Sequence, residues 1–160
     1  MKANQFVKNQ EADVLGLPMY LIIVMIVAVA VIAAVIYMIP QGKKTIIATV
    51  DPNDALLSST AFTWDSANNY WKTTTATVID VLVTTNDDSR KPIANANVIM
   101  TGGGTVQNGR TDSTGKATLT FPAGAIIVQA NVRESYLKLS VNAQGFENYE
   151  DAQAVLLYTG

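Results

Sequence analysis

Neither cysteine nor histidine occurs in the chain, which removes thiolate nucleophiles, disulfides, Cys/His zinc sites and every step that needs an imidazole. Carboxylates, lysines and aromatic rings remain. Asp87, Asp88 and Asp112 stand in turn-like stretches and have the oxygen chemistry for a hard cation such as calcium, although aspartates in solvated turns are the commoner case. Asp80 interrupts a Thr/Val/Ile run, where a strand would hold it toward solvent or at a strand end. Lys91, Lys116 and Lys138 stand among many asparagines; these are the partners of a Lys–Asn crosslink, but no spacing specifies a pair. Gly102-Gly103-Gly104 is followed by no Gly-Lys-Ser/Thr and opens no helix, so it is not a phosphate loop. No nucleophile is spaced with a base. The sequence therefore reads as a non-enzyme with no metal or cofactor. Its remaining functional candidates are the aromatics Phe62, Trp64, Tyr70 and Trp71. Such residues are most often core or cross-strand pairs of a hairpin; exposed, they would serve as an inter-subunit contact or a sugar-stacking platform.

The net charge is −2 and the isoelectric point about 4.9, with no basic run. Nucleic acid is excluded as a partner, because phosphate binding needs clustered Lys and Arg. No Asn-x-Ser/Thr acceptor for N-glycosylation is present.

The element on which the chain is organised runs from Leu17 to Ile39, without one charged residue. At about 1.5 Å per residue it spans roughly 35 Å, enough to cross a bilayer's hydrocarbon core. It is apolar all round, where a soluble helix would carry a polar stripe. Its many β-branched residues favour a strand in water, yet in lipid only a helix satisfies its own backbone. Ala28, Ala30, Ala33 and Ala34 supply small side chains, and the Ala30/Ala34 spacing would let helices approach closely. Pro18 falls where the first turn is expected, a tolerated position. Lys2 and Lys8 precede the helix and Lys43 and Lys44 follow it, so the charge rule is nearly silent on orientation.

The polar residues 1–13, with Lys2 and Lys8 early and Glu11 and Asp13 at the border of the apolar run, fit an uncleaved signal anchor better than a cleaved secretory peptide. The segment Glu11-Ala12-Asp13-Val14-Leu15-Gly16-Leu17-Pro18 and the Ile/Val/Ala helix after it also resemble archaeal type IV pilin-like proteins, over roughly residues 8–40. The resemblance implies removal of the leader by a prepilin-type peptidase, either between Gln10 and Glu11 or between Gly16 and Leu17. It further implies bundling of many copies of the helix into a filament core.

Beyond Pro40-Gln41-Gly42, a helix break, the pattern is that of short strands with turn signals about every ten residues. Strands are expected over Thr45–Val50, Thr60–Trp64, Thr73–Thr85, Thr118–Phe121, Ile126–Val132, Leu137–Val141 and Ala154–Tyr158, and within Lys91–Gly102, where a Pro-led turn runs into an alternating strand. Asp112-Ser113-Thr114-Gly115 has the Asx-turn former and the glycine of a tight hairpin. The elements K-P-I-x-x-A-x-V at Lys91–Val98, T-D-S-x-G-K-A at Thr111–Ala117 and V-x-A-x-G-F-E at Val141–Glu147 resemble the carboxypeptidase regulatory-like domain. That family implies a transthyretin-like, Ig-like antiparallel β-sandwich, usually exported, and no hydrolysis of its own.

The organisation expected is a leader at 1–13, a transmembrane or filament-core helix at 14–40, a linker with the first strands at 41–75, and the regulatory-like sandwich at 76–160. The function expected is a structural one: a subunit that is membrane-anchored or polymerised with copies of itself, its β-domain displayed outside for adhesion. The alternative is a monomeric, membrane-anchored Ig-like module that binds carbohydrate or protein through Trp64 and Trp71.

Overall fold

The computed structural model describes residues 4–39 and 42–160, and within the helix it describes side chains from Met19 onward. The chain forms two compact units, one up to Gly42 and one from Lys43 to Gly160.

The first unit is a single helix, α1, Asn4–Met38. It begins well before the apolar run, so residues 4–13 are its first turns and not a separate leader in conformation. No glycine or proline precedes Gly16, and nothing in Asn4–Leu15 stops helix propagation. Pro18 consequently lies inside the helix instead of in its first turn, and its missing N–H leaves the Val14 carbonyl without an i+4 donor. The apolar span Met19–Met38 covers 20 residues, none buried, and is about 30 Å long. The expected break at Pro40-Gln41 lies outside the described residues.

The second unit is β-rich and mostly antiparallel. One sheet has the order β1 (Ile46–Val50), β5 (Thr77–Thr85), β8 (Lys116–Phe121). A larger one runs β2 (Leu56–Leu57), β11 (Tyr149–Tyr158), β10 (Glu134–Asn142), β6 (Asn97–Gly102), β7 (Thr105–Arg110). A small third sheet is β3 (Phe62–Asp65), β4 (Tyr70–Thr73), β9 (Ile127–Gln129).

Period-two alternation builds the core between the first two sheets. Ile79, Val81 and Val83 of β5 and Leu119 and Phe121 of β8 face Val98, Met100, Leu137, Leu139, Val141, Val155 and Leu157, all at most 1% exposed. Gly109 on β7 marks where the layers touch: a Cβ there would come 2.9 Å from Leu119 Cδ2.

Four features depart from the sequence reading. Thr73–Thr85 is two strands, β4 and β5, separated by a bend at Thr74-Thr75. The boundary expected between residues 75 and 76 falls inside the unit, because β1 pairs with β5 from Ile46↔Thr85 to Val50↔Val81 and buries Ile46 and Ala48. One pairing is parallel, Leu56↔Leu156 and Leu57↔Leu157, where β2 buries Leu57 alongside β11. Finally, Asp112–Gly115 does not close a hairpin. The strand before it, β7, belongs to the large sheet and β8 to the other, so the turn is a corner between layers. Its local chemistry is the one expected. Asp112 Oδ1 accepts from the N–H of Thr114 (2.8 Å) and of Lys116 (3.1 Å), and Gly115 has φ +77°. A Cβ on Gly115 would lie 2.5 Å from the Val83 carbonyl oxygen.

Candidate functional site

On α1 the described side chains from Met19 to Met38 are all exposed, most of the aliphatic ones by more than half. At about 100° per residue, Ala30, Ala33 and Ala34 fall on one strip of the helix, whereas Ala28 lies nearly opposite. The four alanines therefore split into a three-residue small strip and one outlier. Tyr20 and Tyr37 bracket the apolar span, the position where aromatic rings with a polar tip suit a membrane–water boundary. The border candidates Gln10, Glu11, Gly16 and Leu17 are helical in backbone, and their side chains lie outside the described set.

The aromatics of the β-unit separate by burial. Phe62 is only 6% exposed and belongs to the core, which removes it from the surface candidates: it lies opposite Thr73, itself buried, at the inner end of the β3–β4 hairpin. Trp64 pairs directly with Trp71 across that hairpin, the ring centroids 5.3 Å apart and tilted by 60°. Trp71 packs against the core, while Trp64 remains 40% exposed. Tyr70 is half-buried at the strand end. The arrangement is a cross-strand aromatic pair with one accessible ring.

The hairpin is fixed at its turn by Asp65. Its Oδ1 accepts from the Ala67 and Asn68 N–H groups at 3.1 and 3.2 Å, and its Oδ2 meets Lys72 Nζ at 2.7 Å. The bond from Lys72, then that from Asn68, hold the Asp65 carboxyl down at about 2.

The remaining charged candidates are occupied in the same structural way. Asp87 Oδ1 receives Thr85 Oγ1 (2.7 Å) and Ser89 Oγ (2.5 Å), with the Ser89 and Arg90 N–H groups at 3.1 Å. Hydrogen bonds from Ser89 first lower its carboxyl below the usual range, as those from Thr114 do for Asp112. Both aspartates close their own loops, and no group of three potential metal ligands exists among the described residues. Asp80 is not freely solvated as expected. It bridges to Lys116 at 2.7 Å and accepts from Thr118 Oγ1 at 2.7 Å, and the Lys116 contact first, then Thr118, lowers its pKa. Lys138 is held by Glu150 at 2.8 Å. Two of the three candidate crosslink lysines thus have carboxylate partners.

The sequence reading missed β7 and, with it, a polar cleft of about 560 Å³ at one end of the large sheet, lined by Asn95, Asn97, Arg110, Asn142, Gln144 and Phe146 among others. Its residues come from three separated stretches, so no local motif could reveal it.

No protein-family model, no curated protein and no solved structure matches the chain.

Proposed function

We propose that the chain is a type IV pilin-like structural subunit, its helix packed with copies of itself in a filament core or anchored in a membrane, and its β-unit displayed outside as an Ig-like, transthyretin-like module for surface contact. The observation that carries the reading is the helix surface. Met19–Met38 has no buried residue and no charge, so in water it would expose an apolar surface far beyond what a monomeric soluble protein tolerates. A bilayer or a bundle of identical helices meets that demand, and the Ala30/Ala33/Ala34 strip gives the bundle a close-approach face. The turn motifs at Lys91–Val98, Thr111–Ala117 and Val141–Glu147, together with a two-layered β-unit, support the regulatory-like assignment. The ion pairs and loop-closing aspartates support a structural role over a catalytic one.

The test is the N-terminal sequence and intact mass of the protein from its native cells, with electron microscopy of the sheared cell-surface fraction. A chain that begins at Glu11 or Leu17 and is recovered in filaments is the expected result. A chain that begins at Met1 and stays with the membrane would overturn the filament reading in favour of a monomeric anchored module.

A further inference from the structure

From the cleft at the end of the large sheet we infer a binding site for an acidic oligosaccharide, read by a row of amides and one guanidinium. The site lies within the β-unit alone, so it goes beyond the filament reading and would act in an anchored monomer equally well.

The sheet register makes the row. Arg110 of β7 stands directly opposite Asn97 of β6, and Asn97 directly opposite Asn142 of β10. Directly opposed residues share a face. That face is the outer one, since the neighbours Val98 and Val141 are fully buried. Adjacent strands are about 4.8 Å apart, so Arg110 and Asn142 are separated by roughly 10 Å, comparable with a disaccharide. Asn95 and Gln144 reach the same cleft from the loops beside it, and the half-buried Phe146 forms part of its wall.

Three properties select the ligand. First, none of the lining residues is acidic, in a chain that carries net negative charge. Arg110 has no carboxylate within ion-pair distance among the described residues, where the ion pairs are Lys72–Asp65, Lys116–Asp80 and Lys138–Glu150. A free guanidinium fork matches a carboxylate bidentately. Second, Asn142 donates from Nδ2 to Asn148 Oδ1 at 2.8 Å, which orients it and leaves its carbonyl and second N–H open. Each side-chain amide presents a donor beside an acceptor, the complement of neighbouring hydroxyls on a sugar ring, and Phe146 offers a surface for the ring's C–H face. Third, the loop that bears Asn95 and leads into Asn97 is held rigid. The buried Thr111 hydroxyl donates to the Ile93 carbonyl (2.6 Å) and accepts the Ala96 N–H (2.9 Å), while Asn95, at φ +59°, donates its N–H to the Thr111 carbonyl (2.9 Å). Preorganisation of this kind reduces the ordering cost of binding. One cationic group is too little for a nucleic acid, whose affinity comes from many phosphate contacts, and a polar lining does not suit an apolar ligand.

The experiment is calorimetric titration of the full chain in a neutral detergent with oligogalacturonate, and in parallel with a neutral maltooligosaccharide. Saturable binding of the uronate, weakened at least about tenfold by Arg110→Ala, partly restored by Arg110→Lys and reduced by Asn97→Ala, is expected; a tenfold loss corresponds to about 1.4 kcal/mol. Trp64→Ala should leave it unchanged. Equal binding of the neutral sugar, indifference to Arg110→Ala, or no saturation up to about 10 mM would each overturn the proposal. Arg110 is exposed and Asn97 half-buried, and unchanged circular dichroism of the variants separates loss of binding from loss of fold.

Discussion

Replacing Thr111 by valine isolates one hydroxyl. Thr111 is 3% exposed and valine keeps its β-branched shape, so the change removes little volume. It removes two hydrogen bonds, the donation to the Ile93 carbonyl and the acceptance from the Ala96 N–H. The backbone bonds Asn95 N–H to Thr111 O and Thr111 N–H to Ala96 O stay, which prevents the loop from swinging out to water. Ile93 and Ala96 are themselves buried, at 7% and 0%. Two buried backbone groups then lack partners, at about 1–3 kcal/mol each, so the expected loss is about 2–6 kcal/mol. Against a total stability of about 5–15 kcal/mol this is a large fraction. In urea, with a slope of about 1.5 kcal/mol/M, the midpoint should fall by about 1–4 M. Fluorescence of Trp64 and Trp71, both in the β-unit, reports the transition in the full chain held in detergent. Thr111→Ser retains the hydroxyl, loses one methyl and should cost about 1 kcal/mol. If Thr111→Val costs less than about 0.5 kcal/mol, or no more than Thr111→Ser, the hydroxyl does not clamp this loop.

Gly115→Ala should destabilise the β-unit by at least about 2 kcal/mol, since the residue is left-handed and its Cβ would meet the Val83 carbonyl; the same urea titration measures it. Acid should weaken the unit. Asp65, at about 2, together with Asp80, Asp87 and Asp112, is more acidic folded than unfolded. The unfolded chain therefore takes up protons first, and the stability these groups contribute is lost as pH falls from about 5 toward 2. Urea midpoints across that range should drop, and less steeply in Asp65→Asn. Lys72 and Lys116, raised by Asp65 and Asp80 respectively, contribute stability that is lost as pH rises through and above about 10.5. In the helix, Val29→Lys should add about 2.5–3.5 kcal/mol to membrane insertion and shift the chain to the soluble or aggregated fraction. Ala30→Phe should leave fractionation intact and abolish only self-association, read by crosslinking.

The helix was legible because one-dimensional composition decides it: twenty uninterrupted apolar residues mean the same thing in any tertiary setting. Most strands were legible for a related reason, as Asp51-Pro52, Asn86-Asp87 and Pro122-Ala123-Gly124 punctuate them chemically. β7 was not. Its sequence Thr-Val-Gln-Asn-Gly-Arg has a single aliphatic and an Asn-Gly pair that imitates a turn, and only the register with β6 makes it a strand. The Asp112–Gly115 turn shows the same limit. Its hydrogen bonds are local and were readable; whether the two strands it joins pair with each other is not local. Phe62 and Trp64 share a face by alternation, yet only the packing of β3 over the core decides that the first is buried and the second accessible. The amide row has no sequence trace at all, since its members meet only through strand register.

The parallel pair between β2 and β11 has a consequence for the order of events during synthesis. Leu56 and Leu156 are about a hundred residues apart, and loop closure over such a distance is slow. Synthesis from the N-terminus delivers the apolar helix before the β-unit and, within that unit, delivers Val155 and Leu157, which seal the core, after the strands they pack on. At the usual rate of elongation, about 5–20 residues per second, the early strands wait several seconds for their final neighbour. During that interval the β10 edge stands open, its unpaired backbone groups available to any other strand. Glu134 at the start of that strand and Lys138 at its centre, both exposed, carry opposite charges and act as gatekeepers against premature strand exchange.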